Sequence, residues 1–330
     1  MRAVLCKQFG PPESLVVEEI APPELGSGQV RLRVDACGIN FPDTLIIENK
    51  YQFKPSLPFS PGGEVAGVVT EIGPKVSGWK AGDRAIAMCG WGGFVEEMVV
   101  DPSRLMRTPD GMDSVVAAGF TMTYGTSHYA LKDRANLRRG ETLLVLGAAG
   151  GVGLAAVEIG KAMGARVIAA AGSDEKLEVC RRYGADDCVN YERENLKDRI
   201  RELTGGNGAD VIYDPVGGDI FDTAFRTIAW EGRYLIIGFA AGRIPQLPVN
   251  LVLLKGCQVV GVFWGAFSAR DPEKNQQNLA ELARWCADGT LKPLVSATYP
   301  LEDAPVALRS MLDRKVTGKV VLTTAKAAAR

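Results

Sequence analysis

A glycine-rich turn between an apolar run and a helix-compatible stretch constrains the fold of this chain more than any other feature. The apolar run covers residues 142–146 (TLLVL), the turn 147–153 (GAAGGVG), and the helix-compatible stretch 154–163. Glycine lets the backbone N–H groups of a helix N-terminus come close to the pyrophosphate of a dinucleotide. Gly147, Gly150 and Gly153 stand where the turn, the close approach and the helix–strand packing require glycine. The segment therefore predicts a dinucleotide site with loop contacts from Gly147, Ala149, Gly150, Gly151 and Val152.

The composition excludes several classes of protein. The chain has 330 residues, of which 46% are hydrophobic, as expected for a globular protein of about two domains. Its 38 basic and 39 acidic residues nearly cancel, so nothing predicts binding to nucleic acid or to a membrane. We see no secretion signal and no apolar stretch of spanning length, which predicts a cytoplasmic location. Seven cysteines without a Cys-x-x-Cys pair fit a reducing compartment.

The order of short runs along the chain predicts two domains. Short β-type runs separated by glycine and proline turns fill residues 1–122 and predict a β-rich domain. Strands then alternate with helical segments, which predicts a doubly wound parallel sheet with strands at 142–146, 166–171, 188–190, 211–214, 233–238 and 258–262. The tail is too small to fold alone, so we expect it to complete the first domain. The predicted division is 1–122 plus 266–330 for one domain and 123–265 for the other.

The end of the second strand of this sheet indicates which dinucleotide binds. In folds specific for NAD, that strand ends in an acidic residue that bonds the adenosine ribose. Here it ends in Ala171, Gly172 and Ser173, which leaves room for a 2′-phosphate near the Ser173 hydroxyl and the Lys176 ammonium. The pattern favours NADPH. Two other interpretations stay open: Ser173 and Lys176 as a helix cap and a solvated residue, and Asp174 reaching the ribose, which would reverse the preference.

Four segments together resemble one known family. They are residues 36–44 (ACGINFPDT), 61–67 (PGGEVAG), the loop 147–153, and 318–322 (GKVVL). In this order they resemble the medium-chain dehydrogenase/reductase superfamily and, within it, the zinc-free quinone oxidoreductases related to zeta-crystallin. The resemblance implies an α/β fold in which a Rossmann domain is inserted into a GroES-like β-rich catalytic domain. It also implies a cleft between the domains and a homodimer.

The chain departs from the zinc-dependent members of this superfamily at two ligand positions. Those members place a cysteine where Asn40 stands and a histidine where Gly63 stands, and the one histidine of this chain is His128 in a predicted helix. Cys37, Glu64 and Asp43 are a poor substitute for the ligands that zinc prefers. We therefore expect no bound metal.

Without a Lewis acid, the easiest acceptors are those conjugated with a carbonyl, such as quinones or enones. The resemblance implies an NADPH-dependent quinone oxidoreductase with Asn40, Asp43 and Tyr51 as polar active-site residues. Tyr51 is the candidate donor to the acceptor, and Asn40 bonds either the nicotinamide ribose or the substrate oxygen. The alternatives stay open that Tyr51 only packs under a loop and that Asp43 only caps the following helix.

Further cofactor contacts are implied by position in the family. Thr126 is expected to face the nicotinamide, and Tyr191 to cover the adenosine phosphate. A third group is expected along the crevice and in the closing motif: Phe239, Ala240, Phe263, Trp264, Gly265 and Lys319. For Phe263 and Trp264 an ordinary role as core aromatics is equally open.

Two other functions compete with quinone reduction. Residues 51–55 (YQFKP) and 259–265 (VVGVFWG) also resemble segments of enzymes that act on double bonds, which suggests an enoyl- or acryloyl-thioester reductase. A hypothesis of another class is a non-catalytic or structural protein that binds NADPH without turnover, since fold does not fix function.

The NADPH preference can be tested at Lys176. We expect Lys176→Ala to raise KM for NADPH about tenfold, because a charge-assisted bond to the 2′-phosphate is lost. KM for NADH should stay unchanged, and steady-state kinetics with both cofactors measures the difference. Equal effects on the two cofactors would contradict the assignment.

Overall fold

The computed structural model describes residues 1–324. The chain divides into two compact units, one formed by Met1–Met122 with the segment from Pro293 onward, the other by Thr123–Lys292. Numbered in chain order, the strands are β1 (Arg2–Leu5), β2 (Val16–Glu19), β3 (Val30–Gly38), β4 (Glu64–Ile72), β5 (Arg84–Met88), β6 (Glu97–Val100), β7 (Leu105–Arg107), β8 (Thr142–Leu146), β9 (Arg166–Ala171), β10 (Asp187–Asn190), β11 (Ala209–Asp214), β12 (Ile228–Ile236), β13 (Gln258–Gly261), β14 (Val295–Pro300) and β15 (Lys319–Thr323).

The α-helices are α1 (Phe41–Ile46), α2 (Ser114–Ala118), α3 (Thr121–His128), α4 (Gly151–Ala162), α5 (Asp174–Arg182), α6 (Leu196–Leu203), α7 (Ile220–Phe225), α8 (Val249–Lys255), α9 (Trp264–Arg270), α10 (Pro272–Ala287) and α11 (Ala304–Leu312). A π-helical segment, Tyr129–Arg134, continues α3. Among residues 1–324, no helix is long and apolar enough to cross a bilayer.

The first unit is built on a seven-stranded sheet. Its order is β14-β15-β3-β4-β5-β7, and β6 pairs with β3 beyond this path. β15 and β4 both run antiparallel to β3, with Val321 and Glu64 paired to Gly38. This register brings the first residues of β4 and β15 to the end of β3, where α1 begins. Three segments far apart in sequence therefore meet at one place in this unit.

The second unit is a parallel sheet of six strands in the order β10-β9-β8-β11-β12-β13. All of its pairings are parallel, and helices connect the strands. This is the doubly wound arrangement that the alternating pattern predicts. The order reverses beside β8, between β8 and β11, and ligands of such sheets bind at the carboxyl ends of the strands at this point.

The boundary on the carboxyl side differs from the predicted one. The first unit resumes at Pro293, whereas the sequence predicts residue 266. The reason is that α9 and α10 pack on α3 and the π-helical segment. The rings of Tyr129 and Phe267 stack with centroids 4.0 Å apart, and the Asn278 amide donates to Asp133 at 2.7 Å. The amphipathic pattern shows that a helix has a buried face, but it does not show which domain covers that face.

Candidate active site

The predicted phosphate loop lies at the reversal point of the six-stranded sheet. β8 ends at Leu146, and Gly147 then adopts a left-handed conformation with φ of 55°. A Cβ on Gly153 would lie 2.3 Å from the carbonyl oxygen of Gly147, so only glycine fits there. The loop therefore turns back on itself tightly enough to bring α4 against the end of β8.

The N-terminus of α4 has the form that a phosphate needs. Gly150 is its N-cap and makes no side-chain capping bond to the first-turn N–H groups, which include those of Gly151 and Val152. The orphan N–H groups and the helix dipole together favour an anion. Ala148 and Ala149 are buried, and Ala148 N donates to Ala170 O on β9 at 3.1 Å. The predicted loop residues thus form one continuous cradle.

Ser127 and Tyr213, which the sequence interpretation missed, fix α3 to this cradle. The Ser127 hydroxyl donates to Val152 O at 2.8 Å and shares a 2.8 Å bond with the Tyr213 hydroxyl. Both side chains are buried. Thr126 is the neighbour of Ser127 and is half-buried, so these bonds hold it beside the first turn of α4. A serine in a predicted helix carries no sequence signal for this role.

Asp214 organises the loops that follow β11 and β12. Its Oδ1 accepts bonds from Val216 N at 2.8 Å and Gly217 N at 2.9 Å, and its Oδ2 accepts one from Tyr234 at 2.7 Å. The two loops also bond to each other, since Ala240 N donates to Pro215 O at 3.1 Å. This arrangement places Phe239 and Ala240 at the carboxyl end of the sheet, and their contact with a cofactor stays a prediction. The role of Asp214 was missed, although an acidic residue at a strand end before glycines is a visible signal.

The end of β9 brings together three predicted contacts. Ser173 is the N-cap of α5, and its hydroxyl accepts a 3.4 Å bond from Lys176 N. A Cβ on Gly172 would lie 3.4 Å from the Tyr191 ring, so Tyr191 stands against the same strand end. Ser173 is thus a helix cap, as the alternative interpretation has it. Its place at the end of β9 remains that of the ribose end of a dinucleotide.

Asp174 would reverse the preference for NADPH if it reached the ribose, but its carboxylate is bound by other protein side chains. Its Oδ1 accepts a 2.7 Å bond from the Asn190 amide, and its Oδ2 pairs with Arg193. Arg193 therefore brings a cation to the first turn of α5, the helix that also carries Lys176. The sequence interpretation missed Arg193 because it lies in the turn after β10, which only the parallel pairing of β10 with β9 brings near.

The aromatic pair at the start of α9 consists of one buried and one exposed residue. Trp264 is 7% exposed, and a Cβ on Gly125 of α3 would lie 2.8 Å from its ring. Its indole N–H donates to Asn275 Oδ1 at 3.0 Å, so Trp264 is a core aromatic of this unit. Phe263 is 47% exposed. Of the two aromatic side chains, Phe263 is therefore the more exposed.

A second cluster of predicted residues lies in the first unit, where β3, β4 and β15 meet. Lys319 Nζ donates to Asn40 Oδ1 and Ile39 O, both at 2.7 Å, and lies 3.7 Å from Glu64 Oε2. Asn40 Nδ2 donates to Glu64 Oε2 at 3.2 Å. Burial lowers the pKa of Lys319 and raises that of Glu64, while their mutual attraction opposes both shifts. Two hydrogen bonds and one ion pair thus hold the buried ammonium of Lys319 inside the protein, so the geometry does not favour its direct contact with a cofactor.

Asp43 is buried beside this cluster and caps α1. Its Oδ2 accepts a 2.8 Å bond from Asn40 N, and its Oδ1 accepts a 3.2 Å bond from Gly62 N. Burial raises the pKa of the carboxyl to about 6, against the bonds from Asn40 and Gly62 and the charge of Lys319. The geometry therefore favours the capping interpretation of Asp43 over contact with a substrate.

Tyr51 follows α1 and is half-buried against the core of the first unit. Its ring contacts the Phe53 ring edge-on, with centroids 5.7 Å apart, so Tyr51 does pack against neighbouring side chains. Burial and the nearby Asp43 charge raise the pKa of the phenol above 10. The hydroxyl is thus protonated at neutral pH and able to donate a hydrogen bond.

The donor set around Asn40 does not suit zinc. Both Glu64 oxygens are occupied, Oε1 by Met122 N at 2.8 Å and Oε2 by Lys319 and Asn40. The Cys37 thiol donates to Glu64 O at 3.1 Å, and burial raises its pKa well above 9, which disfavours the thiolate that binds metal. Within residues 1–324, no three His, Cys, Asp or Glu side chains are grouped as metal ligands.

Two protein families match the chain. The alcohol dehydrogenase GroES-like domain matches residues 26–110, in the first unit, and the family described as zinc-binding dehydrogenase matches residues 151–285, in the second. The second description names a metal whose usual ligands this chain lacks at Asn40 and Gly63.

Known proteins resemble the chain along nearly its whole length. The quinone oxidoreductase-like protein 2 homolog of Nematostella vectensis is 44% identical over 327 residues, which cover 98% of this chain and 89% of that protein. A mycobacterial protein solved with NADPH is 31% identical with a TM-score of 0.92, covering 98% of this chain and all (100%) of the other. Escherichia coli quinone oxidoreductase, also solved with NADPH, is 28% identical with a TM-score of 0.91 and the same coverage.

The raised pKa of Asp43 predicts how stability changes with pH. Because its folded pKa of about 6 exceeds the ordinary 3.8, the native state binds this proton more tightly between pH 4 and 6. The free energy of unfolding that Asp43 contributes should therefore fall by about 2 kcal/mol as the pH rises from 4 to 7. Asp43→Asn removes this titration. Urea unfolding of both proteins across that range measures the difference, and parallel pH profiles would contradict it.

Proposed function

Because this chain belongs to the quinone oxidoreductase branch of the medium-chain dehydrogenase/reductase superfamily, we propose that it reduces quinones with NADPH. One observation carries the proposal. The phosphate cradle at α4 and the neutral end of β9 suit a 2′-phosphorylated dinucleotide, and relatives of the chain are named quinone oxidoreductase or quinone oxidoreductase-like. The two solved relatives that hold NADPH support the same cofactor here.

The residues at the end of β9 support NADPH over NADH. Ser173 offers a hydroxyl, and Lys176 and Arg193 offer positive charge, which suits a phosphate bearing about two negative charges. The Asp174 carboxylate is bound to Asn190 and Arg193. These bonds disfavour its use as the acceptor for the hydroxyl groups of an adenosine ribose. The Arg193–Asp174 pair is exposed, so a phosphate can compete for the guanidinium at little cost.

The remaining cofactor residues hold the other parts of the molecule. The first-turn N–H groups of α4 take the pyrophosphate, and Tyr191 covers the adenosine end. Thr126, Phe263 and the loop of Phe239 and Ala240 line the nicotinamide end, while Trp264 supports them from the core. When bound, NADPH supplies the hydride for the reduction of the acceptor.

The polar residues of the first unit act on the acceptor and on the orientation of the cofactor. Tyr51 keeps its proton at neutral pH and donates a hydrogen bond to the acceptor oxygen, on which negative charge develops. Asp43 fixes the backbone of Asn40 and Gly62 and so acts as a positioning residue. We propose that the reaction proceeds without zinc, because the donors near Asn40 are already engaged with one another.

We also propose a homodimer formed at the edge of the six-stranded sheet. β13 is the edge strand, and α8 before it carries Leu253, which is 81% exposed, and Leu254, which is 68% exposed. Trp230 on β12 is 69% exposed. Apolar side chains beside an unpaired strand edge are typical of a surface that another copy covers.

The dimer can be tested by light scattering. Wild type should show twice the mass of one chain, and Leu253→Glu should show the mass of one chain, because a charge in the apolar contact costs several kcal/mol. Val306→Glu is the control, since Val306 is 57% exposed on the other unit. A monomeric wild type would refute the dimer.

The activity is tested by NADPH oxidation with two acceptors after the protein has been dialysed against a chelator. We expect turnover of a simple quinone, lower turnover of a crotonyl thioester, and lower rates with NADH. Tyr51→Phe should reduce turnover of the quinone about tenfold through loss of one hydrogen bond, with unchanged NADPH affinity.

The other outcomes point elsewhere. A preference for the thioester would assign the chain to enoyl-thioester reduction, and activity that requires added zinc would overturn the metal-free reaction. Tight NADPH binding without turnover of either acceptor would favour a non-catalytic binding protein. Equal turnover by wild type and Tyr51→Phe would remove the donor role from Tyr51.

A further inference from the structure

The buried polar cluster of the first unit fixes the orientation of the Asn40 carboxamide. Resting on the proposed NADPH-dependent function, we infer that Lys319 and Glu64 are positioning residues that make this carboxamide a hydrogen-bond acceptor only. The Asn40 carboxamide then accepts a hydrogen bond from a hydroxyl group of the bound cofactor and does not donate one to the oxygen of the substrate. The inference assigns to Lys319 an indirect role in place of the direct contact predicted from the sequence.

Lys319 determines which end of the carboxamide faces it. Its ammonium has three N–H donors and no acceptor. It lies 2.7 Å from Asn40 Oδ1, 2.7 Å from Ile39 O and 3.7 Å from Glu64 Oε2, and its side chain is 7% exposed. An Asn40 rotated by half a turn would set its NH₂ group against these N–H donors. The ammonium therefore selects the orientation in which Oδ1 faces it.

Both N–H groups of the carboxamide are then used inside the protein. Asn40 Nδ2 donates to Glu64 Oε2 at 3.2 Å and to Gly38 O at 3.3 Å. An amide NH₂ has two donors, so none is left for a ligand. Oδ1 has two lone pairs, of which Lys319 takes one. The only remaining capacity of the side chain is to accept one further hydrogen bond.

Glu64 is needed because a buried ammonium requires a partner. Its side chain is fully buried and its Oε1 accepts from Met122 N at 2.8 Å, so the carboxylate is fixed from α3. Removing one member of such a pair leaves an uncompensated charge in the core, which destabilises the fold strongly. A variant that removes both charges together separates positioning from folding.

The first experiment is a mutant cycle on NADPH affinity, measured by nicotinamide fluorescence with thermal unfolding as the check on folding. We expect Asn40→Ala to weaken NADPH binding about tenfold, and Lys319→Met/Glu64→Gln to weaken it by about the same factor. The triple variant should bind no more weakly than Asn40→Ala, because the pair acts only through Asn40. Lys315→Met, whose exposed ammonium pairs with Asp313, is the matched control.

The second experiment tests the acceptor role and does not need Lys319 to be changed. In Asn40→Asp/Glu64→Gln the two side chains exchange their charge, so Lys319 keeps a carboxylate partner and residue 40 can accept but not donate. We expect this variant to recover at least half of the tenfold loss of NADPH affinity seen in Asn40→Ala. Recovery supports the acceptor role even if Lys319→Met/Glu64→Gln fails to fold.

The outcomes separate this inference from the proposed function. If wild type binds NADPH but the triple variant multiplies the separate losses to about a hundredfold, Lys319 acts independently of Asn40 and the inference is wrong. It is also wrong if the charge exchange recovers nothing in a folded protein. If wild type does not bind NADPH, the proposed function fails and the inference fails with it.

Discussion

The approach of α4 to the end of β8 is the contact on which the nucleotide-binding unit depends. The Gly147 carbonyl oxygen would be 2.3 Å from any Cβ on residue 153, so the helix begins where it does because glycine stands there. Once α4 begins at this point, its orphan N–H groups lie at the reversal point of the sheet. Ser127 then ties α3 to the same turn, and Asp214 ties the neighbouring loop.

The first unit depends on a different constraint, the neutralisation of charge in its core. Lys319 and Glu64 are both buried, and the charge of each offsets the cost of burying the charge of the other. The pair joins the first residue of β15 to the first residue of β4 and, through Ile39 and Asn40, to the end of β3. A single ion pair thus links three strands to the helix that carries Asp43.

Much of the fold could be predicted because its signals are local. Strands 64–72, 84–88, 142–146 and 166–171 have the predicted bounds, since each is an apolar run ended by turn residues. Local signals failed where the information lies in another part of the chain. The helix α10 packs on the π-helical segment, which places the unit boundary at Pro293 instead of residue 266. Arg193 and Ser127 reach the site through strand pairing and helix packing, which no nearby residue specifies.

The sequence by itself determined the doubly wound sheet, the phosphate loop, the neutral end of β9 and the family, because each depends on residue type and spacing within a few turns of chain. Only the tertiary structure decided what the polar side chains can do there. It buries Trp264 in the core, turns Asp174 toward Arg193, and engages both N–H donors of the Asn40 carboxamide inside the protein. The physical reason is that hydrogen-bond capacity is limited, and what a side chain can offer to a ligand is what its neighbours in space leave unused.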